Sequence, residues 1–201
     1  HSMIDTELRD HVTHMDILVD IPDWTVAQMT NLLRLMCTRQ HIIRKMLQSS
    51  MLYIDCDVVE RITQNPPACP ADLEAAVHNV TAEGHLQNFT IADSKAMLTI
   101  SFSQRDDSKL PSYVTFFKAL LVQAKQASRV QLAVDDPTNE KYAARNLLLR
   151  IGMGGLKHKA DRAALTGHLS GCTAFPNDDA MQAHRARQAA KRAARKENHN
   201  D

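Results

Sequence analysis

T-N-E-K-Y-A-A-R-N-L-L-L-R-I-G-M-G-G-L-K-H-K-A-D-R-A-A-L-T-G-H-L-S-G-C-T-A-F, residues 138–175, sets two amphipathic helices, a glycine joint and a row of cations in immediate succession. Thr138 or Asn139 can cap a helix that begins at Glu140, because a short side-chain oxygen accepts a bond from an otherwise orphaned backbone N–H. Pro137 keeps the residue before it out of helical geometry. Within the helix, Tyr142, Ala144, Leu147, Leu148 and Ile151 share an apolar stripe, and Arg145 and Arg150 lie off its centre. Gly152, Gly154 and Gly155 end it, since glycine enters left-handed backbone without a Cβ penalty. A second helix is predicted over Lys157 to His168, with Leu156, Ala160, Ala164, Leu165 and Leu169 inward and Gly171 as its stop. The element reads as a helix, turn, helix unit.

Two functional readings of this unit compete with a plain one. G-M-G-G is not a phosphate-cradling loop by context: such loops follow a strand and open a helix, and this one follows a helix and lacks the downstream Lys-Ser/Thr. The unit also has the outline of a DNA-reading helix-turn-helix, with Lys157, His158, Lys159, Arg162 and His168 toward the groove or the phosphates. That signal is unspecific, because basic residues on the solvent side of any helix look the same.

Composition bounds the rest. A chain of 201 residues, 44% of them hydrophobic, is long enough for one domain with a real core. The net charge of +1 is unevenly spread: residues 1–150 carry 15 Lys+Arg against 18 Asp+Glu, net −3, and residues 151–201 carry 9 against 5, net +4. Cys37, Cys56, Cys69 and Cys172 fall at spacings that match no zinc motif or C-x-x-C, and no signal peptide precedes them. Four reduced thiols and a cytoplasmic location are the expectation. No apolar run approaches the roughly 20 residues that cross a bilayer. His1-Ser2 reads as a tag remnant, and residues 1–15 as a flexible lead-in to a globular domain over 16–175.

Along that domain, Asp16 to Ile21 alternates as a half-buried strand closed by Pro22. Thr25-Val26-Ala27-Gln28 is a capping box, and Val26, Met29, Leu33, Met36, Ile43 and Leu47 repeat at helical intervals toward Gln48. This methionine-rich face reads as core in preference to an adaptable partner groove. Met51 to Cys56 reads as a short strand. Asn65-Pro66-Pro67 is an extended turn; a methyltransferase reading of it fails because Ala68 takes the aromatic position. Pro70 opens a helix through Asn79. Leu86 to Ile91 and Ala96 to Ser103 are two strands about an Asp93-Ser94 turn. Pro111 starts a helix through Ala127, and Arg129 to Val134 resembles one more strand. The fold class is α/β or α+β: a small mixed sheet with a long N-terminal helix, a central helix and a C-terminal helix-turn-helix pair.

Beyond Pro176, residues 176–201 form a basic helical or disordered tail. Asn177-Asp178-Asp179 caps a segment in which His184, Arg185, Arg187, Lys191, Arg192, Arg195 and Lys196 are spaced among alanines and glutamines. It cannot bury enough apolar surface to dock by hydrophobic contact. It reads either as a solubilising end or as a phosphate binder, since clustered Arg and Lys release counterions from nucleic acid. It lacks the large apolar side chains of a membrane-interface helix.

Catalytic patterns are missing: neither G-x-S-x-G, H-E-x-x-H nor a paired-carboxylate motif occurs. His11 and His14, with Asp10 and Asp16 nearby, have the spacing of a metal pair on a helix, but an exposed N-terminal segment gives the same pattern by chance. Cys172 near His168 lacks a visible orienting acid. No catalytic residue, metal or cofactor is expected.

The series Ile21-Pro22-Asp23-Trp24-Thr25, Asn139-Glu140-Lys141-Tyr142 with Arg145, Leu149 to Gly155, Leu165 to Gly171 and Thr173-Ala174-Phe175 resembles a family of small uncharacterised proteins, often labelled virulence-related, from mobile genetic elements of gut Gram-positive bacteria. The likeness runs from about Asp16 to Phe175 and is sharpest from Asn139 onward; residues 57–84 fit it poorly and read as an insertion. It implies a setting and no mechanism. Two functions fit. One is a non-enzymatic accessory protein that binds DNA or RNA through Arg145, Arg150, Lys157, Lys159, Arg162, Arg185, Arg187, Lys191, Arg192, Arg195 and Lys196. The other is a protein-binding inhibitor of a host defence system, of anti-CRISPR or anti-restriction type, whose partner is a nucleoprotein complex.

Overall fold

Thr25 opens the element around which the others are arranged. Its Oγ1 accepts from the Gln28 amide at 3.2 Å, and the Gln28 side chain accepts from the Thr25 amide at 3.0 Å, closing the predicted capping box. Helix α1 (Val26–Leu47) follows and ends at Gln48, whose φ of 51° turns the chain out of the helix. The computed structural model describes residues 12–103, 107–132, 139–175 and 178–197. Within it every α1 residue from Met29 to Thr38 is buried, so the expected core face extends around most of the helix. Burying a Leu, Ile or Met side chain stabilises by about 1.5–3 kcal/mol, whereas helix propensities differ by at most about 0.7 kcal/mol among ordinary residues. Packing therefore holds α1, with the helices Cys56–Gln64, Leu110–Gln126 and Glu140–Arg150 and the strand Tyr53–Ile54 around it.

The buried polar residues of α1 act as connectors. Asn31 Nδ2 donates to the carbonyls of Ala124 and Ala127, and Asn31 Oδ1 accepts from the Val130 amide. Arg34 donates to Thr63 Oγ1, the Thr63 carbonyl and the Val130 carbonyl. These bonds compensate a guanidinium whose pKa burial lowers. Gln40 pairs both backbone groups of Ile54, as a neighbouring strand would.

Strands β1 (Val12–Asp20), β4 (Phe89–Ala92) and β5 (Lys95–Ser103) form an antiparallel sheet in the order β1-β5-β4, with Ile17 opposite Leu98 and Ile91 opposite Ala96. A second ladder joins β2 (Tyr53–Ile54) to β3 (Leu86–Gln87). Both are antiparallel, so the class is α+β. Asp93 and Ser94, with φ of 51° and 55°, form the tight turn of the β4–β5 hairpin, and Glu74 accepts the Ser94 amide. Asn88, at φ 61°, divides residues 86–92 between the two sheets.

Several expectations change. The first strand begins at Val12, so the end of the supposed flexible lead-in is sheet. The strand over 51–56 contracts to two residues, because Asp55 already caps helix α2 (Cys56–Gln64), accepting from the Asp57 and Val58 amides. Helix α3 (Pro70–Ala82) starts at its proline as expected. Together α2 and α3 bury Val58, Val59, Leu73 and Val77, so the segment that reads as an insertion belongs to the core. Helix α4 (Leu110–Gln126) packs on α1. Residues 129–132 are not a strand, since Val130 is bonded to α1 side chains instead; residues 133 and 134 lie outside the described set. Cys37 and Cys56 form a disulfide with Cα atoms 5.5 Å apart, in place of two of the four expected thiols. Cys69 and Cys172 are not part of this disulfide.

Candidate nucleic-acid interface

Helix α5 (Glu140–Arg150) begins at Asn139, whose Oδ1 accepts the Tyr142 amide as predicted for a cap. Thr138 and Pro137 lie outside the described residues. Asn139 is itself buried, and its Nδ2 donates to the Phe175 carbonyl at 2.7 Å. Gly171, at φ +91°, lies so close that a Cβ there would collide with the Asn139 amide. The chain after residue 168 thus folds back over the start of α5. Glu140 fastens the same corner, accepting the Ser170 amide and pairing with Lys45 Nζ at 3.2 Å. Burial would raise the Glu140 carboxyl, but the Ser170 amide and the Lys45 ammonium hold it below its ordinary value.

The glycine joint is a cap. Gly152 takes φ +85°, its amide bonds the Leu149 carbonyl, and the Met153 amide bonds the Leu148 carbonyl. This is the paired arrangement that satisfies the last carbonyls of a helix. Arg162 Nη1 then donates to the carbonyls of Met153 and Gly155, at 2.8 and 2.7 Å. A 3-10 turn (Leu156–His158) leads into helix α6 (Lys159–Thr166), which is shorter than expected. Leu156 is 90% exposed and Ala160 is exposed, against the expectation of an inward face; Leu165 and Leu169 are buried as expected.

This geometry removes the DNA-reading interpretation of the pair. Arg162 is held by the joint, His158 Nδ1 lies 2.9 Å from Asp161 Oδ2, and His168 Nε2 donates to the Lys45 carbonyl at 2.7 Å. Ser112 donates to the other Asp161 oxygen. Burial would raise the Asp161 carboxyl, yet His158 and Ser112 hold it low. The joint from Ile151 to His158 is also longer than the three or four residues that set the crossing angle of such motifs. Arg145, Arg150, Lys157 and Lys159 are exposed, on α5 and around the joint.

The remaining predicted cations lie on helix α7 (Asp178–Glu197). Among its described side chains only Ala180 and Met181 are half-buried, and the rest are exposed. The helix forms without burial because alanine, arginine, lysine and glutamine are strong helix formers, and twenty residues exceed the roughly 12–15 at which an isolated helix becomes viable. At about 100° per residue, Arg187, Lys191, Arg195, Arg192 and Arg185 follow one another around half of the circumference. Ala183, Ala186, Ala190 and Ala193 occupy the other half. The spacing of these residues held this segregation, but it shows only when they are projected on one helix. Lys196 belongs to α7, and its side chain lies outside the described residues. The five described cations have no ion pair or hydrogen bond within the described chain.

A contact invisible to sequence patterning joins α7 to the chain before it: the rings of Phe175 and His184 are 5.0 Å apart. His184 falls on the cationic side of the helix. The basic stripe therefore starts where Asn139 fixes the Phe175 backbone.

Elsewhere, His14 lies on β1 with Nδ1 2.9 Å from Ser101 Oγ, so the helical premise of the metal pair fails; His11 is outside the described residues. Among the described residues no three His, Cys, Asp or Glu side chains gather as a metal site, and no helix is long and apolar enough to cross a membrane. Compared with protein-family models, with curated proteins and with solved structures, the chain has no match.

Proposed function

We propose that the protein is a non-enzymatic accessory factor that binds nucleic acid, through the phosphates, on the cationic face of α7. One observation carries this reading: five cations on one side of an exposed helix, none of them spent on a partner among the described residues. Such a surface gains free energy by releasing condensed counterions, so binding is independent of base sequence and steeply salt-dependent. Arg145, Arg150, Lys157 and Lys159 supply further charge, and Arg162 holds the joint. The mobile-element setting comes from the sequence resemblance, and a cytoplasmic location is proposed with the nucleic-acid role alone, since the Cys37–Cys56 disulfide removes the reduced-thiol argument for it. Deleting residues 178–201 abolishes DNA and RNA binding; undiminished binding by the truncated chain refutes the proposal.

A protein-binding inhibitor of host defence is the second reading, favoured by one feature. Leu149, 42% exposed, and Leu156, 90% exposed, present apolar surface at the glycine joint. Capture of a nuclease complex that is lost in a Leu149→Asp/Leu156→Asp variant supports it; capture that persists in this variant excludes the joint as the contact.

A further inference from the structure

We propose that β1 is a dimer seam: two copies of this chain pair antiparallel, edge to edge, about a two-fold axis at Ile17, giving a six-stranded sheet. The Ile21 amide donates to the Ser94 carbonyl at 2.9 Å, which fixes the direction of every backbone group along β1 by alternation. Met15, Ile17 and Val19 point their N–H and C=O groups toward β5. Those of His14, Asp16, Leu18 and Asp20 point away from the sheet, and β1 ends the strand order with no partner on that side among the described residues. Among the described strands β5 is its one ladder neighbour. A nine-residue edge of this kind is a template for another strand.

Side chains on both faces suit a second copy. On the core side, Met15 and Val19 stay half-buried while Ile17 between them is 5% exposed, so the apolar layer runs out to the edge uncovered. On the open side Leu18 is 58% exposed. Two-fold pairing can be centred at several residues, and charge selects among them. Centring on Asp16 sets Asp16 against its own copy, and centring on Leu18 sets Asp16 against Asp20. Centring on Ile17 sets His14 against Asp20 twice and Asp16 against Leu18, with Met15 against Val19 and Ile17 against itself on the core side. Like charges directly opposite destabilise a ladder and opposite ones support it, which disfavours the first two; centring on Met15 would pair His14 with Asp16 but set Ile17 against Thr13, so the register at Ile17 is the one that joins opposite charges and also matches the apolar residues.

The test is sedimentation equilibrium of the full chain over a range of concentrations. Wild type is expected to be a dimer. His14→Asp places acids opposite each other and raises the dimer dissociation constant about tenfold; His14→Asp/Asp20→His swaps the pair and restores it. Leu18→Pro removes an outward N–H without touching the β1–β5 ladder, and yields a folded monomer by circular dichroism. A wild-type monomer throughout, or a dimer indifferent to both His14→Asp and Leu18→Pro, overturns the proposal.

Discussion

Asn139 holds Phe175: the Nδ2 of the one donates to the carbonyl of the other at 2.7 Å, across 36 residues of chain. One buried amide thereby caps α5, receives the close approach of Gly171 and sets the residue whose ring meets His184 of α7. Positioning of the basic helix depends on a helix cap far from it in sequence.

Replacing Asn139 by Ala removes the cap and the Phe175 bond together, and costs about 1–3 kcal/mol in urea unfolding. Gly171→Ala costs a similar amount, since its φ of +91° and the Asn139 amide both oppose a Cβ. In the double variant the collision is gone, so the combined loss is smaller than the sum.

Arg162 separates architecture from binding. Arg162→Ala loses two bonds to the joint and lowers stability by about 1–3 kcal/mol. The salt dependence of nucleic-acid binding by this variant stays at the wild-type value in a fluorescence titration.

Acid weakens the fold through Asp55, Glu140 and Asp161. Burial would raise each carboxyl, but hydrogen bonds outweigh it: His85, Val58 and Asp57 at Asp55, Ser170 and Lys45 at Glu140, His158 and Ser112 at Asp161. All three therefore titrate lower in the folded chain than in the unfolded one. Their stabilisation is present above the ordinary carboxylate range near about pH 4, and is lost as the pH falls through the folded values. Stability measured against pH drops on that side, and Glu140→Gln/Asp161→Asn makes the drop shallower.

Thiol titration of the unreduced, denatured chain should find two reactive cysteines, Cys69 and Cys172. Reduction frees Cys37 and Cys56 and destabilises the chain by about 3 kcal/mol, the scale of a closed loop of their 19-residue separation. Four reactive thiols before reduction would contradict the pairing.

The regular elements were legible where local chemistry dictates them. The Thr25 box, the Pro70 start, the Asn139 cap and the Gly152 stop each need only neighbouring residues, and each is found. Helix α2 was missed because its signal is short and its cap, Asp55, ends an apolar run that reads equally well as a strand. The segment after α4 alternates like a strand, but its backbone is satisfied by Asn31 and Arg34, a tertiary fact that periodicity does not carry. Helical spacing places Leu156 inward, and a 3-10 turn does not follow that spacing. Of the candidate interface, the identity of the cations was readable; the internal use of Arg162, the Phe175 anchor and the disulfide were not, since each rests on residues distant in sequence.

Phosphate binding by the cationic face of α7 is read out in the salt dependence of duplex DNA binding, wild type against an Arg187→Ala/Lys191→Ala/Arg195→Ala variant. Each phosphate contact contributes about −0.9 to the slope of log K against log salt. Wild type binds tightly at low salt, and the slope is shallower by about 2–3 in the variant. No binding at low salt, or an unchanged slope and affinity in the variant, would contradict it.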